Sequence, residues 1–333
     1  MCVRCFVKRL ERTTAMLVNG KWTGSYHPVQ SKDKDAKGAF VRQESQFRNW
    51  ITRNGRPGPT GEGGFPAEAG RYHLYVALTC PWACRTLLVR KLKGLDDVIS
   101  VSVVEPCLTD EGWRFGDYPG ANRDRLNGAT YLHEIYTRAA PAYTGRATVP
   151  VLWDKQRQTI VNNESADIIR MLNGSFGELG NNIDLYPPDL RAEIDALNEP
   201  IYRKLNNGVY RTGFASTQQA YEEAFWDMFD MIDELEQRLN GRSFLFGDRL
   251  TETDLRLFVT LIRFDVAYHD LFKCNLRRVI DYPNLTAYLQ RIMAIPGVRD
   301  TVSIEHIKRG YYSIRALNPT GIVPLGPERL LPG

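Results

Sequence analysis

The residues best placed to do chemistry are in Thr79-Cys80-Pro81-Trp82-Ala83-Cys84. An apolar run, Tyr72 to Leu78, leads into this stretch, and a helix-like run, Arg85 to Leu92, leads out. Strand, turn and helix are the expected order, with Cys80 at the helix N-terminus. Unpaired backbone N–H groups and the helix dipole at such a point favour a thiolate over a thiol. Pro81 suits the first helical position, where its missing N–H costs nothing. The competing reading of Cys80 is a small buried residue, as most free cysteines are. Ala83 occupies the position three after Cys80, so no resolving thiol stands in CxxC register. Cys84, one helical turn on, reads as packing.

Two further stretches could hold a ligand. Thr148-Val149-Pro150-Val151-Leu152-Trp153-Asp154 is a strand pattern interrupted by proline, which needs a special explanation. A cis peptide between Val149 and Pro150 would turn the backbone and leave the N–H and C=O of Val149 for a ligand. Glu164-Ser165 opens a helix-like run to Leu172 with an acid and a hydroxyl.

The elements that must position these residues follow an alternating order. Arg71–Leu78 and Val98–Val104 read as strands flanking a helix over Pro81–Lys93. Glu105 to Ala147 is a long insertion, and insertions of that length carry function or lack structure. Thr148–Asp154 and Thr159–Asn162 complete the strand set. Residues 174–188, rich in Gly, Asn and Pro, read as a linker. Beyond it Leu190–Asn206, Gln218–Leu239, Glu252–Tyr268 and Leu285–Ala294 carry 3.6-residue apolar periodicity. Thr251 with Asp254 three residues later resembles a capping box. Residues 17–70 are loop chemistry wrapped on the surface, anchored by Phe40, Phe47 and Trp50. The expected division is 1–70 extension, 71–174 α/β domain, 175–188 linker, 189–309 helical domain and 310–333 tail.

Composition narrows the function classes. The chain has 333 residues, 43% hydrophobic and 25% charged, with net charge +4, as in an ordinary globular protein of two domains. The charge excess is small and dispersed, which gives no case for nucleic acid. No apolar run approaches the ~20 residues of a membrane span, and residues 1–15 lack a signal-peptide core. The six cysteines, Cys2, Cys5, Cys80, Cys84, Cys107 and Cys274, are scattered rather than framed for disulfides, so a reducing compartment, the cytoplasm, is expected. Cys2-x-x-Cys5 has no second ligand pair, so no metal is expected.

Together these stretches resemble the glutathione transferase superfamily, and specifically the glutathionyl-hydroquinone reductases, or Xi class. The match rests on Thr79–Ala83, Trp113, Arg146–Asp154, Asn163-Glu164-Ser165, Asn206–Tyr210, Arg263–His269, Phe272–Leu276 and Gly310-Tyr311-Tyr312. It implies a thioredoxin-like α/β N-terminal domain joined to an all-α C-terminal helical bundle, and a homodimer. It also implies catalysis by Cys80, Tyr268 and Tyr311. Glutathione would be held by Trp113, Arg146, Val149, Pro150, Glu164 and Ser165, and the hydroquinone by Tyr210, Tyr268 and Tyr311. Cys80 would take glutathione from a glutathionyl-hydroquinone as a mixed disulfide, which a second glutathione would then reduce. His269 could assist, and Asp254 reads as a cap. Two alternatives stay open on the same fold: an omega-like thiol transferase or dehydroascorbate reductase, and a non-enzymatic binding protein.

Overall fold

The computed structural model describes residues 16–24 and 34–327. Residues 1–15, with the Cys2-x-x-Cys5 pair, lie outside the described residues.

A four-stranded sheet organises the N-terminal half. Its strands are β5 (Tyr72–Val76), β6 (Ile99–Val103), β7 (Val151–Asp154) and β8 (Thr159–Asn162), in the order β6-β5-β7-β8. The β5 and β6 pair is parallel, whereas β7 and β8 run antiparallel. All five residues of β5 are buried, as befits a strand covered on both faces. The parallel crossover from β5 to β6 is α1 (Pro81–Leu92), which packs against α3 (Ser165–Gly174). Pro150 precedes β7, so it removes no ladder bond, and the Val149–Pro150 peptide is cis.

Residues 16–70 contain more structure than their loop chemistry suggests. A hairpin joins β1 (Met16–Val18) to β2 (Lys21–Thr23). Its two-residue turn, Asn19-Gly20, has both φ angles positive, at 47° and 74°. A short parallel pair joins β3 (Trp50–Thr52) and β4 (Gly64–Pro66). Three-residue strands carry too little alternation to be read from sequence. Phe40 and Trp50 are buried, and Phe47 packs on the core. The long insertion also holds a helix, α2 (Leu132–Ala139), capped reciprocally by Tyr131 and Glu134.

The C-terminal half is helical. Its elements are α4 (Arg191–Pro200), α5 (Gly208–Gly213), α6 (Gln218–Arg238), α7 (Glu252–Arg263), α8 (His269–Leu271), α9 (Pro283–Ala294) and α10 (Ile304–Tyr312). Two expected long helices change pitch in one turn. Residues Ile201–Asn206 and Phe264–Tyr268 are π-helical. A single wide turn leaves the apolar stripe continuous, so periodicity does not reveal it, and such turns often mark functional sites. Every residue of α7 is buried, which makes it the core helix. The capping box at its start is present: Asp254 Oδ2 accepts from Thr251 N at 2.8 Å, and Asp254 Oδ1 from Leu245 N at 2.9 Å.

Helix α10 corrects the expected boundary at 309/310. Gly310 lies inside the helix, so Tyr311 belongs to the last helix rather than to a tail beginning at 310. A Cβ on Gly310 would stand 2.3 Å from Thr79 Cγ2 and 2.7 Å from Pro106 O. Close approach to the turn before Cys80, not chain reversal, is what requires glycine there. Thr79 Oγ1 donates to His306 O at 2.8 Å and completes the docking.

Candidate active site

Cys80 stands at the N-cap of α1 in extended backbone (φ −82°, ψ 120°), with Pro81 opening the helix. It is partly exposed to a cavity of about 1020 Å³ between the two halves. The Sγ atom donates to Val149 O at 3.7 Å. Burial pushes the Cys80 thiol up, against the opposing pull of the Ala83 and Trp82 amides and the positive charge of Arg263. The helix start therefore does not lower this pKa outright: desolvation by the surrounding protein outweighs the amides.

The glutathione-side expectations converge on this cavity. Cys80, Trp113, Arg146, Val149, Pro150, Glu164 and Ser165 all line it. Glu164 caps α3, accepting from Ala166 N at 3.1 Å, and Ser165 is buried beside it. The second oxygen of Glu164 accepts from Ser45 Oγ at 3.1 Å. A carboxylate, a buried hydroxyl and the start of a ten-residue helix thus meet at one point, a place suited to an α-amino acid group.

Opposite lies a row of phenols. The Tyr210 and Tyr311 hydroxyls are 2.7 Å apart, and those of Tyr311 and Tyr268 are 2.8 Å apart. Tyr210 and Tyr311 line the cavity, but Tyr268 is fully buried and does not. In this structure Tyr268 reaches the cavity only through Tyr311. Burial raises the pKa of all three, Tyr268 and Tyr311 well above the ordinary phenol, so each is a neutral donor at neutral pH. His269 is turned to Asp270, with Nδ1 2.6 Å from Oδ1, and is not among the lining residues. Asp254 remains a cap. Its carboxyl is pushed up to about 6 by burial, and its contacts lie within the helical core.

Several site residues carried no readable signal. The segment read as a surface wrap supplies Arg42, Ser45 and Arg48 to the cavity wall. Arg48 pairs with Asp167 of α3 through Nε and Nη2, at 2.5 and 3.1 Å. Arg42 lies 4.8 Å from the Tyr210 ring centre and donates to Asn207 Oδ1 at 2.9 Å. Neither arginine differs in context from an ordinary surface charge. Arg263 did carry a signal: a cation amid Leu261, Ile262 and Phe264 on an apolar helix.

Among the described residues no cluster of His, Cys, Asp or Glu is arranged to hold a metal. Nor is any helix long and apolar enough to cross a membrane.

Comparison with known proteins agrees with this geometry. Residues 79–174 match the model of the glutathione S-transferase N-terminal domain, and residues 218–291 that of the C-terminal domain. The chain is 49% identical over 320 residues to glutathionyl-hydroquinone reductase PcpF of Sphingobium chlorophenolicum, covering 96% of this chain and 98% of that one. It is 46% identical over 311 residues to glutathione S-transferase omega-like 2 of Schizosaccharomyces pombe, covering 90% and 96%. The glutathione-bound structure of YqjG from Escherichia coli K-12 superposes with a TM-score of 0.86 at 48% identity, covering 94% and 96%. The Xi glutathione transferase of Phanerochaete chrysosporium gives 0.83 at 49%, covering 88% and 99%. A helix-start cysteine facing a glutathione-shaped wall and a row of phenols, on this fold and at these identities, places the chain in the Xi class of glutathione transferases, the family of the glutathionyl-hydroquinone reductases.

Proposed function

We propose that this enzyme reduces glutathionyl-hydroquinones to hydroquinones at the expense of glutathione, through a mixed disulfide on Cys80. The observation that carries the proposal is the pairing, across one cavity, of a single helix-start thiol with a phenol chain. The Cys80 thiolate attacks the glutathionyl sulfur and forms the S–S bond. The electron pair of the breaking C–S bond takes a proton at the ring carbon, and hydroquinone leaves. A second glutathione attacks the mixed disulfide, releasing oxidised glutathione and the Cys80 thiolate. With Ala83 in the resolving position, the second thiol has to come from solution.

Tyr311 is best placed to give the proton, because it faces the cavity and bonds both other phenols. Tyr268 then acts through Tyr311. On the glutathione side, the Val149 backbone pairs with the cysteinyl unit, Glu164 meets the ammonium, and Ser165 with the α3 N-terminus meets the γ-glutamyl carboxylate. Trp113 and Arg146 complete that wall, Arg146 towards a carboxylate.

The test is mass spectrometry after incubation with a glutathionyl-hydroquinone and no free glutathione. A glutathione adduct on Cys80 with hydroquinone released is the expected result; release without an adduct sinks the covalent route. An omega-like thiol transferase is the second reading, favoured by the name of the fission-yeast relative. Turnover of dehydroascorbate exceeding that of a glutathionyl-hydroquinone would establish it. We further propose a cytoplasmic homodimer. The scattered cysteines, the described ones all unpaired, suit a reducing compartment. Sedimentation at micromolar concentration tests the dimer.

A further inference from the structure

Neither the glutathione wall nor the phenol row makes use of the buried arginine that ends α7. Arg263 is 1% exposed. Its Nε donates to Thr79 O at 3.0 Å, its Nη2 to Leu78 O at 2.8 Å, and its Nη1 to Val259 O at 2.6 Å. Nη2 also donates to Cys84 Sγ at 2.9 Å. One guanidinium, reaching from the helical domain, therefore grips two successive carbonyls of the turn that ends in Cys80. A lysine could not span these acceptors, because only a planar fork presents donors in several directions at once.

No carboxylate pairs with Arg263 among the described residues. A guanidinium buried among neutral acceptors is costly unless negative charge forms beside it. The ionisable groups that feel its charge are Cys84, Tyr268, Tyr311 and Cys80. We infer that Arg263 is a positioning residue and the shared buried counter-cation of the reaction, facing the Cys80 thiolate at one stage and the tyrosine phenolate at the next. The inference rests on Cys80 being the nucleophile.

Charge and protons balance around such a centre. In the first step the thiolate's electron pair becomes the S–S bond, and the ring carbon takes the Tyr311 proton. The negative charge has then moved from sulfur to the phenol oxygen. In the second step glutathione gives its thiol proton to that phenolate and attacks the mixed disulfide, and the charge returns to Cys80. The site thus holds one negative charge at both stages, on groups that each feel the charge of Arg263. A preorganised charge of this kind needs no reorganisation as the reaction proceeds.

The test is the pH dependence of Cys80 alkylation by iodoacetamide, read by peptide mass spectrometry in wild type, Arg263→Gln and Arg263→Lys. The other titratable and charged groups around Cys80 are Cys84 on α1, Tyr210 on α5, Tyr268 and Tyr311, with Arg42 over the Tyr210 ring; none is substituted in the series, and because Cys84 also answers to Arg263 the alkylated sulfur is assigned to Cys80 or Cys84 by peptide fragmentation. Removal of the charge in Arg263→Gln is expected to raise the Cys80 midpoint by on the order of one pH unit or more. Arg263→Lys keeps the charge and loses the fork, so its midpoint stays within about a few tenths of a unit while kcat falls. A folded Arg263→Gln protein with an unmoved midpoint overturns the inference. Should that variant not fold, Arg263→Lys decides: a midpoint raised by about a full unit with the charge still present overturns it. Turnover surviving in Cys80→Ala strikes the underlying reading of the nucleophile, whereas an unmoved midpoint strikes only the role of Arg263.

Discussion

The two walls of the cavity are built on different principles. On the proposed glutathione wall Cys80, Glu164 and Ser165 sit where a helix begins and Val149-Pro150 just before a strand, and the bonds that shape these turns are mostly local. Glu164 caps its own helix through Ala166, and Cys80 N bonds Ala77 O three residues back. On the opposite wall the phenols come from α5, the second π-turn and α10, and they are held by each other's hydroxyls. One wall carries charged side chains, Glu164 and Arg146; the other is a row of neutral phenols, two of which line the same cavity while the third is buried behind them. Local geometry suffices to present backbone and carboxylate to a peptide. A proton donor in a low-dielectric site needs partners, and helices far apart in sequence supply them.

Breaking the first wall at its thiol has the largest expected effect. Cys80→Ser should lower glutathionyl-hydroquinone turnover by at least ~10³-fold with the fold intact, checked by steady-state rates beside circular dichroism. Next comes the second wall. Tyr311→Phe should lower kcat by ~10²-fold and leave Cys80 alkylation nearly unchanged, with Tyr268→Phe lowering kcat less because Tyr268 does not line the cavity. If Tyr268→Phe proved the more damaging, the proton would have to come from Tyr268 after a rearrangement that opens the cavity to it. Glu164→Gln sharpens the contrast from the other side: the KM for glutathione should rise ~10-fold with kcat little altered, since one charge-assisted contact is lost.

The smallest effects concern stability, and there too the halves differ in sign. His73 on β5 is buried between Ser100 and Ser102, and burial pushes its pKa down to about 4. The unfolded chain therefore binds the proton more tightly, and the stability this group contributes above pH ~6.5 is lost as pH falls towards 4. Asp254 on α7 is pushed up to about 6, so the native state holds that proton more tightly. Its contribution is full below pH ~4 and is lost as pH rises through 6. Urea unfolding across this range should give a shallower acid loss in His73→Gln than in wild type, by roughly 3 kcal/mol at most. A steeper acid loss in that variant would show that His73 is charged in the folded protein.

Legibility followed the same divide. Cys80 at a helix start, the Val149–Pro150 turn and the Glu164-Ser165 cap were readable because each is a property of a few consecutive residues. The long helices were readable because an apolar stripe repeats. Tyr210, Tyr268 and Tyr311 stood out from the sixteen tyrosines only through family resemblance. Nothing local distinguishes a phenol that will meet two others. The tail boundary at 310 falls inside α10 for a related reason: what holds Gly310 in place is Thr79, more than two hundred positions away.

The sequence by itself determined the place of Cys80 at the head of a helix, the lack of a cysteine in CxxC register with it and the order of the elements, since these follow from residue identity and short-range backbone preferences. Only the tertiary structure decided three other matters. Burial pushes the Cys80 thiol up rather than down, Tyr268 stands behind Tyr311, and the segment from Phe40 to Trp50 closes the cavity. Desolvation, hydrogen bonds between distant helices and the fields of buried charges such as Arg263 depend on what is packed around a group, and no local stretch of sequence contains that.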